Sequence, residues 1–105
     1  MNYNVTTERN KIMDELTEIA EKINKLDSKE DVRNFLLEIL TNSEVATLSK
    51  RWCILKMLYE GKTQREISKT LGVSLCKVTR GAKILKDKNT MITKMIKENN
   101  NDTKY

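Results

Sequence analysis

The sequence predicts an all-α fold of about six helices, and three observations carry that expectation. The 105-residue chain has no Pro and only three Gly, so little in it interrupts a helix. Its apolar residues recur at three- and four-residue spacing. Its Ser and Thr residues stand where helix N-termini are due. The length fits one domain, 1–105, and a chain of this size can bury one core without metal or disulfide staples. With 38% hydrophobic and 5% aromatic residues the supply of core is lean, and a lean small chain often completes its core with a partner subunit.

The first helix is expected from residue 6 or 7 to residue 26. Ile12, Leu16, Ile19, Ile23 and Leu26 are spaced 4, 3, 4, 3, a narrow seam able to lie along another helix. Asp27-Ser28 interrupts, and Ser28 with Asp31 three residues on reads as an N-cap. A second helix runs to about residue 40, with Val32, Phe35, Leu36, Ile39 and Leu40 on its apolar side. Thr41-Asn42-Ser43-Glu44 reads as a capping box that opens a third helix, to about residue 60. The stretch from Trp52 to Tyr59 is apolar nearly all round, which predicts a central helix buried on most sides. Gly61 is its natural terminator.

Thr63-Gln64-Arg65-Glu66 is a second capping box, opening a short helix that Gly72 closes. Ser74 caps the next helix, 75–86, and a last amphipathic helix spans about 90–99 with Met91, Ile92, Met95 and Ile96 on its apolar side. The polar run 100–105 reads as a frayed tail. In functional terms, 6–60 is a helical dimerisation core, 63–86 a reading head and 90–99 a C-terminal helix.

Several function classes fall away. No stretch approaches the ~18 uninterrupted apolar residues of a membrane span, and the polar first ten residues lack the apolar core of a signal peptide. The expectation is a cytoplasmic protein with no membrane partner. Cys53 and Cys76 then read as reduced thiols. Zero His removes the usual imidazole base and, with two Cys, makes a zinc site improbable. No nucleophile–base pair, glycine-rich phosphate loop or metal set is present, so an enzyme is not expected and no cofactor is implied.

Charge is uneven. Residues 1–40 carry six basic and nine acidic side chains, whereas residues 61–88 carry eight basic and two acidic, so that window exceeds the net charge of +5 on the whole chain. Such a window is the footprint of a nucleic-acid binder, or a solvated lysine-rich face. The segment from Gln64 to Lys83 decides for the former. Two short helices meet at Leu71-Gly72-Val73-Ser74, with Ile67, Leu71, Val73 and Val78 apolar where they must pack and Ser68 small at their close approach. That is the spacing of a DNA-binding helix–turn–helix. The second helix presents Leu75, Cys76, Lys77, Thr79, Arg80 and Lys83, and Lys and Thr suit base edges and phosphates. Gln64 and Arg65 open the first helix, whose free N–H groups suit a phosphate. Gly81, inside the second helix, admits two readings: close helix–helix packing, or close approach of a ligand to the backbone.

At these residues the chain resembles the bacterial Trp repressor family. Leu40-Thr41, Arg51, Glu60-Gly61, Thr63-Gln64-Arg65-Glu66-Ile67, Leu71-Gly72 and above all Thr79-Arg80-Gly81 with Leu85-Lys86 carry the likeness, over residues 35–86. The resemblance implies an intertwined all-helical homodimer that reads a palindromic, double-stranded operator when an amino-acid effector, L-tryptophan, is bound as corepressor. Half-sites would lie about one helical turn, ~34 Å, apart. It implies a ligand site in which Arg51 faces the carboxylate, Arg80 stacks on the indole and Gly81 gives the indole edge room, with Glu38, Leu40 and Thr41 supplied by the other subunit. A guanidinium suits both arginine roles, as a carboxylate fork and as a stacking plane. The DNA contacts expected from the helix–turn–helix and its basic window are Gln64, Arg65, Leu75, Cys76, Lys77, Thr79, Lys83 and Lys86. Genes of tryptophan biosynthesis or transport are the implied targets.

Three departures stand against the family pattern: Ile84 for a serine near the ligand's ammonium, Glu38 for a leucine, and Trp52 for a small aliphatic residue. They leave the effector open between L-tryptophan, another small aromatic or indole-like molecule, and none. A helical protein-docking module is the competing function, since a buried central helix and an apolar seam serve it equally well.

Overall fold

The computed structural model of the chain describes residues 5–102, and side chains from 8 to 98. It is built of α1 (Val5–Asn24), α2 (Lys29–Ile39), α3 (Asn42–Tyr59), α4 (Gln64–Leu71), α5 (Leu75–Lys86) and α6 (Met91–Asp102). No strand occurs among the described residues. The chain divides into two compact units, Met1–Thr41 and Asn42–Tyr105.

The first unit holds α1 and α2. The seam spacing predicted a first helix as far as residue 26, but α1 ends at Asn24. The reason is local: the amides of Lys25 and Leu26 turn back to the carbonyls of Lys22 and Ile23, at 3.2 and 3.0 Å, closing the last turn with the tighter i→i+3 pattern that helix ends use. Ser28 opens α2 as its sequence required, its side chain accepting from the Asp31 amide at 3.1 Å. No described side chain of this unit is buried. Ile12, Met13 and Leu16 on α1 are each more than half exposed.

The second unit carries the core. α3 packs against α4, α5 and α6, so it is the central helix of this unit. Buried Ile54, Ile67 and Val78, one each from α3, α4 and α5, form the centre, with Met57, Leu58, Leu71 and Val73 packed on it. Leu55 and Ile96 are buried as well. Ile67 and Val78 are fully enclosed, and burial of each such side chain contributes about 1.5–3 kcal/mol. The stretch from Trp52 to Tyr59, expected to be buried on most sides, has Ile54 and Leu55 buried and opens to solvent at Tyr59. Leu48 remains 46% exposed and Tyr59 39%, because the three partner helices cover only part of the circumference of α3.

α3 stops at a double hydrogen-bonded turn. The Gly61 amide bonds Leu58 and the Lys62 amide bonds Met57, at 3.0 and 3.1 Å, while Gly61 holds a φ of +92°. This is the 5→2 and 6→1 pairing that ends helices through a left-handed residue. α6 begins after Thr90, whose hydroxyl accepts from the Thr93 amide at 3.1 Å. It continues to Asp102, past the boundary at 99 that the polar run suggested, because neither Gly nor Pro stands there to stop it. Residues 103–105 of the expected tail lie outside the described residues.

A candidate nucleic-acid interface

The reading head is assembled by short-range caps and one long-range bond. Thr63 accepts from the Glu66 amide at 3.1 Å, opening α4. Its hydroxyl proton goes to Glu66 Oε1, also at 3.1 Å, so the box closes side chain to side chain. α4 ends at Gly72, with φ 65° and ψ 39°. A Cβ would be strained in that conformation. The Gly72 and Val73 amides both turn to the Ser68 carbonyl, and the Ser68 hydroxyl donates to the Val73 carbonyl. Ser68 is thus more than small: it ties the turn on both sides. Ser74 then accepts from the Lys77 amide at 3.3 Å and starts α5.

α5 turns two opposed faces. Val78 and Gly81 are buried against the rest of the unit. Leu75, Cys76, Lys77, Thr79, Lys83 and Lys86 are exposed, and so are Gln64 and Arg65 at the start of α4. Every DNA contact expected from the sequence is therefore open to a partner. Thr79 on α5 donates to Gln64 Oε1 on α4 at 2.9 Å. This bond between residues fifteen apart in sequence fixes the middle of the recognition helix to the first turn of its neighbour. Nothing in the spacing signalled it.

Gly81 is where α5 presses on α3. A Cβ there would sit 3.2 Å from Ile54 Cγ2, 3.2 Å from Leu58 Cδ1 and 3.6 Å from Leu55 Cδ2. Of the two readings open in the sequence, close helix packing is the one these contacts display.

The residues that the resemblance assigns to a ligand lie on α3, on α5 and at the end of α2. Arg51 is exposed on α3 and borders a groove of about 240 Å³ with Ser43, Thr47, Lys50, Ile54, Gly72, Val73 and Lys77. Arg80 borders a more open groove of about 280 Å³ with Cys76, Thr79 and Lys83. Ile84 and Trp52 are half-buried. Glu38, Leu40 and Thr41 belong to the first unit, with Glu38 and Thr41 exposed and Leu40 half-buried. Leu40 also closes α2, its amide bonding the Leu36 carbonyl at 3.0 Å. The sequence did not foresee Lys50 beside Lys77 on one groove.

Comparison with known proteins gives the arrangement its context. Among curated relatives, a Trp operon repressor homolog of Xylella fastidiosa (strain M23) is 44% identical over 66 residues, 62% of this chain and 72% of the relative. One of Chlamydia caviae is 34% identical over 70 residues, 66% of this chain and 69% of its own length. One of Chlamydia trachomatis serovar D is 35% identical over 63 residues, covering 59% and 67%. No solved structure matches the chain. Among the described residues no helix is long and apolar enough to cross a membrane. The family model described as Trp repressor protein matches residues 14–100, from the middle of α1 through the helix–turn–helix and most of α6, and the chain belongs to that family.

Proposed function

We propose that this chain is a DNA-binding transcriptional repressor that works as a homodimer and takes L-tryptophan as corepressor, acting on genes of tryptophan biosynthesis or transport. The observation that carries the reading is the exposed basic face of α5 beside the N-terminus of α4, with the whole DNA set from Gln64 to Lys86 solvent-facing. The family membership supports regulation of transcription rather than catalysis. The exposed apolar seam of α1, Ile12 and Leu16, supports a second copy as the partner that completes the first unit. In the dimer each copy lends Glu38, Leu40 and Thr41 to the effector site of the other, where Arg51 meets the carboxylate.

A second reading is favoured by one specific observation. Arg51 and Arg80 border different grooves, and Ile84 and Trp52 stand where the family pattern has a hydroxyl and a small side chain. A regulator with an indole-like effector, or none, fits those facts. A thermal melt of the purified protein with millimolar L-tryptophan, indole and other amino acids decides between them. A ligand at one hundred times its Kd stabilises the folded state by about 2.7 kcal/mol. A rise of several degrees with L-tryptophan is expected. A rise with another compound alone reassigns the effector, and a flat response to all of them removes the effector from the reading. A monomer that neither binds duplex nor is retained on heparin would leave the protein-docking module in its place.

A further inference from the structure

We propose that the groove between α3 and the α4–α5 turn seats a backbone phosphate of the bound duplex, held by Lys50 of α3 together with Lys77 of α5. The inference rests on the DNA-binding reading and extends it beyond the helix–turn–helix to a helix that the charge of residues 61–88 did not implicate. Along α3, Ser43, Ala46, Thr47, Lys50, Arg51 and Ile54 all line this groove. They are spaced three, one, three, one and three residues apart, which is a single helix face. Gly72, Val73 and Lys77 form the opposite wall.

Three cations therefore converge on about 240 Å³, and no carboxylate lines it. All three are exposed. Among the described residues none of them has an ion-pair partner, so an incoming anion displaces no carboxylate. The Thr47 hydroxyl already donates to the Ser43 carbonyl at 3.0 Å, which leaves the three cations and the Ser43 hydroxyl as the side-chain donors of the groove. Lys77 belongs to the recognition helix itself, so an anion lodged against it is within reach of the strand that this helix reads. A lysine suits the role, because it binds phosphate as a flexible point charge.

The test is binding of a mixed-sequence DNA duplex, followed by fluorescence anisotropy between 50 and 200 mM salt, for the wild type, Lys50→Ala, Lys50→Arg and Lys94→Ala. Each phosphate contact adds about 0.9 to the magnitude of the slope of log K on log salt. Lys50→Ala should lower that magnitude by about one. Lys50→Arg should restore it. Lys94→Ala, which removes a cation on α6 away from the groove, should leave it unchanged. Lys50 is exposed, and an unchanged melting temperature confirms that the variants fold.

A wild type that ignores duplex overturns the DNA-binding reading itself. A wild type that binds duplex with a slope that Lys50→Ala does not alter overturns only the phosphate seat. Equal losses for Lys50→Ala and Lys94→Ala reduce Lys50 to general surface charge and overturn it as well. The last arm is a melt in inorganic phosphate. Lys50-dependent stabilisation by free phosphate, with an unaltered duplex slope, would make the groove a site for a free anion and overturn its assignment to the backbone.

Discussion

The two units of this chain solve opposite problems with the same element. Residues 1–40 carry more acid than base, bury no described side chain, and leave Ile12, Met13, Leu16, Leu37 and Ile39 more than half exposed. Residues 42–105 hold every buried residue of the described structure and the basic window. The second unit encloses Ile67 and Val78 completely, so its helix–turn–helix is held by its own core. The first presents apolar surface that its own residues do not cover, the kind of surface that the proposed homodimer would bury. Helix formation is therefore a weak guide to where stability resides. What distinguishes the units is whether the apolar face meets its complement within the same unit.

The comparison breaks most decisively at the core. Ile67→Ala should destabilise the fold by about 2–5 kcal/mol, the usual range for emptying a fully enclosed aliphatic site. The loss, read from urea unfolding, should not depend on protein concentration. A concentration-dependent loss would mean that the second unit is not self-sufficient. Gly81→Val should follow at about 1–3 kcal/mol by overpacking, since a Cβ alone already meets Ile54 and Leu58 at 3.2 Å. A neutral Gly81→Val would show that α3 and α5 can part without loss, and would reopen the ligand reading of that glycine.

Leu16→Asp tests the other side. On an isolated helix surface, at 54% exposure, it should be nearly silent. In a homodimer that covers the seam it buries a carboxylate without a partner, at a cost of about 1–3 kcal/mol or more, and sedimentation should show dissociation to monomers. Duplex affinity should fall with the dimer. A Leu16→Asp protein that sediments like the wild type would remove the first unit from the dimer interface.

Local grammar was legible and juxtaposition was not. Ser28, Thr63, Ser74 and Gly72 place helix ends through bonds that span three to five residues, so the limits of α4 and α5 follow from the sequence itself. The packing set Ile67, Leu71, Val73 and Val78 was readable from spacing, although Leu71 and Val73 are only half-buried. The apolar run from Trp52 to Tyr59 overstated its own burial, because hydropathy reports a preference and not how many neighbours are available to meet it. The pairs that shape the candidate site escaped for a different reason. Thr79 with Gln64, Lys50 with Lys77, and Thr93 with the Ile84 carbonyl at 3.2 Å depend on how helices cross. No one-dimensional period encodes a crossing.

The smallest expected effect discriminates most finely within the reading head. Thr79→Val keeps the shape of the side chain and removes the donor that Gln64 Oε1 accepts at 2.9 Å. For an exposed bond the stability loss should be about 0.5–1 kcal/mol. If Thr79 acts chiefly by holding Gln64, then Thr79→Val, Gln64→Ala and the double variant should weaken duplex binding to a similar degree. The cycle should then show a coupling of about 0.5 kcal/mol or more. Thr79→Ser, which retains the hydroxyl, should restore both quantities. If instead Thr79 reads a base through its hydroxyl, Thr79→Val should change the preferred sequence while Gln64→Ala does not, and the two losses should add. Additive losses with altered preference would return Thr79 to the base-reading role that its place on the recognition helix first implied. Coupled losses with unaltered preference would make it the post that sets α5 against α4.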